Sequence, residues 1–462
     1  MLELHDGTSA RDCSGASRRD FLKVGALGIA GCGLSRLIGG TPALAAAANA
    51  DRRKSVVLLF LCGGASHLEM FDPKRGRPGD HQSVIGTVPT AISGVHFGSV
   101  YEGLARRADR LAVVRSFAPH GISDHAQAIK HLLTTGDAEG TSIGARFARI
   151  DGPSDAATGM PTYAALIQQD EADSQYREDR DRMNVGSRPG GLGSAYAPFA
   201  PDGGDLAENM TLRLPLARLD DRRSLLDALD RMRREADRSE AIGALDHLEQ
   251  QAFDALVGGR VRKALDLSGE HPETVRRYDT SRFQVGWTAK QPSTLGKRLL
   301  LARRLVQAGC RFITVGNAGW DNHANANHPN VYHGMHLLGR PLDQALSAFL
   351  DDLAEQGLSD DVLLVVTSEF GRTPKLDKNG GRDHWPGVTT LLFAGGGLRM
   401  GQVIGETTAR GEEPKGEPLG YDALLGTLWH AMFDVGQVRL RQGLPGDLLR
   451  QIERAQPIPG LV

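Results

Sequence analysis

Ser55-Val56-Val57-Leu58-Leu59-Phe60-Leu61, closed by Cys62-Gly63-Gly64, is an unbroken apolar run with turn residues at its end. A strand with one wet face alternates apolar and polar residues, so a continuous run reads as a strand covered on both sides. Four more runs of this kind follow, at residues 111–114, 311–315, 362–367 and 388–394. Helical periodicity over 336–353, stopped by Gly357, separates the third run from the fourth, and 299–306 reads as the helix leading into the third. Strand, helix and strand in that order make a right-handed crossover between parallel strands. The expected fold is α/β, a mostly parallel central sheet flanked by helices on both faces.

A chain of 462 residues holds one large core with insertions, or two domains. Its formal net charge of −2 gives no reason to expect nucleic acid or an acidic membrane as the main partner, so any anion recognition is local. Ser17-Arg18-Arg19-Asp20-Phe21-Leu22-Lys23 precedes the uncharged stretch 24–34 and the small residues Ala43-Leu44-Ala45. Together they read as a twin-arginine signal over 1–48, which makes the twin-arginine export machinery a partner and the destination periplasmic or extracellular. A surface helix with two arginines is the plainer alternative. Ile29-Ala30-Gly31-Cys32 also fits the box before a lipidated cysteine, which would anchor the chain to a membrane. No other run approaches the roughly 20 apolar residues of a bilayer span.

Cys62 and Cys310, each in or beside an apolar run, read as packing residues. The mature domain, 49–462, changes character in its middle. Residues 170–204 are polar and rich in Gly, Arg and Asp, too long for an ordinary connection and so a lid or a mobile segment. From 219 to 267 the pattern is helical and charged, with Leu225, Leu226, Leu229 and Met232 on one face. Loop and helices together form an insertion over about 170–275.

Three clusters each follow or precede an apolar run: Trp320-Asp321-Asn322-His323, Glu369-Phe370-Gly371-Arg372-Thr373-Pro374 and Gly381-Arg382-Asp383-His384-Trp385-Pro386. In open α/β sheets ligands bind at the carboxyl ends of the strands. Asp321 and His323, two apart on an extended backbone, point the same way and offer oxygen and nitrogen to zinc or another divalent ion. The plainer reading is an Asx-turn aspartate beside a surface histidine, with Asn322, Asn325, Asn327 and His328 as loop-formers. Glu369 and His384 bring further ligands to neighbouring strand ends, and Asp383 is either a ligand or a group that orients a histidine. Arg372 fits an anion through its planar fork, or else pairs with Asp377 or Asp383. Glu69 or Asp72 offers a carboxylate after the first strand. After the second, Ser123 is a nucleophile or an N-cap, His120 and His125 are ligands or acid-base groups, and His131 is structural.

These residues resemble a known family. The twin-arginine leader, Gly-Gly-x-Ser-His-x-x-x-Phe-Asp-Pro-Lys at 63–74, Asp124-His125 with Thr135-Gly136, and the three later clusters are similar to those of the domain of unknown function 1501 family. The resemblance covers nearly all of the mature chain and implies kinship with the alkaline phosphatase and sulfatase superfamily. Its members carry one or two divalent metals at the carboxyl edge of an α/β sheet. Carried over by position, Asp321, His323 and His384 hold one ion, which would be zinc, manganese or calcium. Glu369 and Asp383 serve a second or weaker position, and Ser123, His125 and Arg372 act on the substrate. Phe370 stands where that superfamily has a metal-binding histidine, and Cys62-Gly63-Gly64 where it has an aspartate; both departures bear on a complete two-metal site. Without a serine nucleophile, a water activated by the metal would attack directly. The resemblance thus implies an exported metal-dependent hydrolase of phosphate or sulfate esters, its substrate an anionic ester such as a sulfated or phosphorylated glycan. A non-catalytic binding protein for a sulfated glycan or cell-envelope partner is the alternative.

Overall fold

The computed structural model describes residues 54–76, 81–119, 121–155, 158–167, 176–201, 259–325 and 327–462. The leader, Cys32, His120 and the leucine face at 225–232 lie outside the described residues. Seven strands form the central sheet: β1 Ser55–Leu61, β2 Ala112–Val114, β3 Tyr163–Leu166, β4 Phe312–Asn317, β5 Val362–Thr367, β6 Leu391–Gly395 and β7 Gln402–Ile404. Their order across the sheet is β7-β2-β6-β5-β1-β4-β3. β1 pairs in parallel with β4 on one side and β5 on the other, and β3 continues in parallel beyond β4. β6 is antiparallel to both β5 and β2, so it alone runs against the other six. The fold is the mostly parallel α/β sheet expected, with two differences. The strand anticipated at 388–394 is reversed, and the short edge strands β3 and β7 were not anticipated.

Alternate residues of β1 serve opposite layers, because successive strand side chains project to opposite faces. Val57, Leu59 and Leu61 enter one core, and Val56, Leu58 and Phe60 the other. Each such fully buried side chain is worth about 1.5–3 kcal/mol, which explains the unbroken apolar run from Val56 to Leu61. Five long helices contribute much of the rest of these two cores: α1 His125–Leu133, α2 Ile143–Asp151, α3 Leu295–Ala308, α4 Val331–Glu355 and α5 Tyr421–Met432. Apolar residues of α3 and α4 cover the first face, and those of α1, α2 and α5 the second. α4 ends where Gly357 takes a φ of +64°, and α3 where Gly309 takes +112°, conformations in which a Cβ is costly.

The direction of the strands decides where chemistry gathers. Chain leaving β1, β2, β4 and β5 emerges at one rim, and chain entering the reversed β6 comes from that same rim, since Leu391 pairs with Thr367. Two glycines let these segments touch. A Cβ on Gly63 would lie 2.7 Å from the backbone nitrogens of Trp320 and Asp321, and one on Gly64 2.5 Å from the Phe370 ring. Both have positive φ, +112° and +74°.

Candidate metal centre

Asp321 follows β4 by four residues, and the chain turns at once: the His323 N–H donates to the Asp321 carbonyl at 3.2 Å. The segment is bent rather than extended, yet the alternation of side chains survives. Asn322 is buried against Met335 of α4, with its Nδ2 3.7 Å from Sδ, while Asp321 and His323 face the rim. His125 begins α1, whose N-cap is Asp124, accepting from the Gln127 N–H. Ser123 therefore does not cap this helix. His384 pairs with Arg372 in a two-residue antiparallel hairpin that joins β5 to β6.

Four donors meet here: the ligating atoms of His125, Asp321, His323 and His384 all lie within 4.8 Å of one another. Asp321 Oδ1 is 3.4 Å from His125 Nε2, 3.0 Å from His323 Nε2 and 3.6 Å from His384 Nε2. The other nitrogen of every ring is held from outside. His125 Nδ1 meets Glu369 Oε1 at 2.8 Å, His323 Nδ1 meets Asp383 Oδ1 at 2.9 Å, and His384 Nδ1 meets the Ser123 carbonyl at 2.6 Å. An acceptor at Nδ1 keeps the proton there and turns the Nε2 lone pair inward, the usual support of a metal-binding histidine. Nε2 of His125 and of His384 is buried with no hydrogen-bond partner.

The donor set fits a divalent first-row ion. Four ligands at about 2.05 Å from a tetrahedral zinc are about 3.3 Å apart. The three measured separations from Asp321 bracket that edge. Calcium, which takes six or more oxygens, is poorly matched by three imidazoles.

Glu369 and Asp383 stand one step back from this group, because their oxygens are occupied with the outer nitrogens of His125 and His323. Glu369 is wholly buried and also accepts from the Gly63 N–H at 2.9 Å. Burial alone would raise its carboxyl, and the His125 contact outweighs that and lowers it. Burial likewise opposes a charge on His125, but the neighbouring Asp321 and Glu369 carboxylates carry its pKa up to about 9. Asp321 is pushed up by burial and pulled much further down by the three histidines and Arg372.

Arg372 is fully buried and all five of its N–H groups face protein acceptors. Nε donates to the Gly64 carbonyl, NH1 to the Arg382 carbonyl and His323 Nε2, and NH2 to the Gly63 carbonyl and Asp321 Oδ1, the last at 2.5 Å. It pairs with neither Asp377 nor Asp383. Phe370 wedges its ring 4.8 Å from His125 and 4.7 Å from His384, fixing both planes. Glu69 and Asp72 serve elsewhere. Glu69 forms a buried pair with Arg382 at 3.0 Å, and Asp72 binds Lys74, Arg115 and Thr407. Cys62 and Cys310 are buried and unpaired, as packing residues are. His131 contacts Tyr421, away from the donors.

Asn327 and His328, read above only as loop-formers, and Asp179, not singled out at all, also belong to the surroundings of the site. Asn327 donates to Asp321 Oδ2 at 3.1 Å, and its neighbour His328 is buried with Nε2 2.7 Å from the Gly319 carbonyl. Asp179, inside the polar stretch 170–204, sits in the helix Arg177–Gly186 and reaches the Gly319 N–H at 3.4 Å. Burial, then the neighbouring Glu369, raises its pKa to about 6. An Asn-rich loop beside a Trp-Asp-x-His cluster was the available signal for Asn327; Asp179 had none. Solvent reaches the centre past His323 and His384, whose side chains are 22 % and 25 % exposed, and Ser123 is exposed beside them.

Among solved structures the chain is similar to a PsFucS1 sulfatase from Pseudoalteromonas sp., at 13 % identity over 79 % of this chain and 67 % of that one, with a TM-score of 0.32. A phosphonate monoester hydrolase from Silicibacter pomeroyi matches at 11 % identity over 82 % and 73 %, TM-score 0.32. A mutant TAB5 alkaline phosphatase with Mg bound in its M3 site matches at 10 % identity over 76 % and 94 %, TM-score 0.32. No curated protein matches. The family profile described as "Protein of unknown function (DUF1501)" matches residues 53–448, and the chain belongs to that family.

Proposed function

We propose that this chain is a metal-dependent hydrolase of phosphate or sulfate esters, its ion held by His125, Asp321, His323 and His384. One observation carries the reading: three imidazoles, each fixed at Nδ1, turn Nε2 to within 3.0–3.6 Å of a single carboxylate oxygen, near the edge length of a zinc tetrahedron. A bound divalent ion supplies Lewis acidity toward an ester oxygen. Glu369, Asp383 and the Ser123 carbonyl set the tautomers, and Asn327 and Arg372 keep Asp321 in place. Ser123 is exposed at the mouth and its carbonyl meets His384 Nδ1, which makes its hydroxyl the candidate nucleophile toward the phosphorus or sulfur centre. Residues 1–48 would deliver the protein to the periplasm or beyond through the twin-arginine machinery.

The test is a panel of aryl phosphate and sulfate esters with purified protein and added zinc or manganese. Turnover that disappears in His384→Ala and in Asp321→Asn supports the reading, and absence of turnover with every ester and ion defeats it. The binding-protein alternative draws on Arg372, whose N–H groups all face the protein and leave none for a substrate anion. Tight binding of a sulfated polysaccharide without turnover would favour it.

A further inference from the structure

Among the described residues the strongly exposed large apolar side chains include just two aromatics, Trp287 at 41 % and Tyr332 at 47 %. They lie together. His333 joins them, its ring 5.7 Å from Trp287 and 5.6 Å from Tyr332, and His336 lies 4.2 Å from Tyr332 at 34°. Single exposed apolar residues need no explanation, but exposed rings gathered in one place mark a binding surface.

Helix geometry extends the patch. Tyr332, His336 and Arg340 are spaced i, i+4 and i+8 on α4 and so share a stripe, opposite the buried Val331, Met335, Leu338 and Leu342. Arg340 is exposed. The stripe starts at the rim that carries the metal centre. The Val331 N–H donates to the Gly380 carbonyl at 3.0 Å, and the Arg382 N–H to the Asn322 carbonyl at 3.0 Å, so one short segment touches both α4 and the Asp321–His323 turn. That segment continues into Asp383 and His384.

Exposed rings beside a guanidinium suit one kind of ligand well. A pyranose ring presents a face of C–H bonds that packs on the electron-rich face of Tyr or Trp, and the phenol and indole N–H keep polar edges for its hydroxyls. Arg340 adds a planar donor for a sulfate or carboxylate. We propose that Trp287, Tyr332, His336 and Arg340 form a platform for an anionic polysaccharide, sugar faces on the rings and an acid group on Arg340. The proposal deepens the hydrolase reading, on which it rests for the ester to be cleaved, by naming a polysaccharide as the substrate class.

The test uses the full chain in affinity gel electrophoresis, with dextran sulfate or uncharged dextran in the gel at 0.15 M salt. Tyr332→Ala should weaken retardation by dextran sulfate at least fivefold, Tyr332→Phe should stay within twofold of the parent, and Arg340→Gln should weaken it as well. Thermal melting checks that each variant is folded. Retardation of Tyr332→Ala within twofold of the parent, or an equal loss in Tyr332→Phe, overturns the platform. Turnover of small aryl esters by the parent protein reads the hydrolase separately. Tyr332-dependent retardation without turnover leaves the platform and removes the hydrolase, whereas turnover with no such retardation does the reverse.

Discussion

Glu369→Gln isolates the support that the metal centre draws from behind. Glutamine keeps the volume of the buried side chain, its carbonyl still accepts from the Gly63 N–H, and its amide donates to Ser368 Oγ, which in turn donates to the Leu61 carbonyl at 2.6 Å. What is lost is the negative charge 2.8 Å from His125 Nδ1. Losing such a partner typically weakens metal binding about 10- to 100-fold. That corresponds to about 1.4–2.7 kcal/mol. A unit of about 400 residues unfolds with an entropy near 0.8 kcal/mol per kelvin, so zinc-loaded variant should melt about 2–3 °C below zinc-loaded parent. Competition for zinc against a chromophoric chelator gives the affinity, and calorimetry with and without zinc gives the melting shift. Because the retained carbonyl still meets His125 Nδ1, equal zinc affinity within twofold, in a variant that folds, would refute a contribution of the Glu369 charge to holding the ion.

Gly64→Ala should destabilise the fold by more than about 1 kcal/mol, because φ is +74° and the new methyl would lie 2.5 Å from the Phe370 ring; denaturant unfolding measures the loss. Arg372→Met leaves the Gly63, Gly64 and Arg382 carbonyls without their donor and Asp321 without its nearest cation, and should cost about 3–5 kcal/mol, seen as a lower melting temperature. Acid sensitivity is expected away from the centre as well. Burial pushes the Glu270 carboxyl up, but Arg303 and Arg304 outweigh it and hold it low. Its contribution is therefore complete above about pH 4.3, the ordinary glutamate value, and lost as pH falls through the lower folded value. Glu270→Gln should be less stable at pH 7 and show a shallower decline of melting temperature below about pH 4.3.

The central strands were legible because complete burial forces continuous apolar runs, as in residues 55–61 and 362–367. β3 and β7 were not: Tyr163-Ala164-Ala165-Leu166 has no β-branched residue to mark it as a strand, and Gln402-Val403-Ile404 is half-buried and brief. Strand direction was equally silent: nothing in 391–395 distinguishes a reversed strand from a parallel one, because the pattern of burial is the same. The chemistry-bearing types were visible in Asp321, His323 and His384, while their partners depended on folding. His125 reaches the centre from a helix almost two hundred residues earlier. The division between donors and the groups behind them could not be read from residue type, since Glu369 and Asp383 are as capable of holding an ion as Asp321. Arg372 illustrates the same limit, for its five acceptors, mostly backbone carbonyls, leave no trace in a pattern of side chains.

The hairpin that faces Arg372 with His384 also has a bearing on how this centre tolerates change. Because the two residues face each other in one ladder, slipping the pairing by a single position would put one of them on the wrong face and separate guanidinium from imidazole. The turn around Lys378 and Asn379 lies beyond those rungs, and the Val331 N–H donating to the Gly380 carbonyl fastens it to α4, so the hairpin is held at both of its ends.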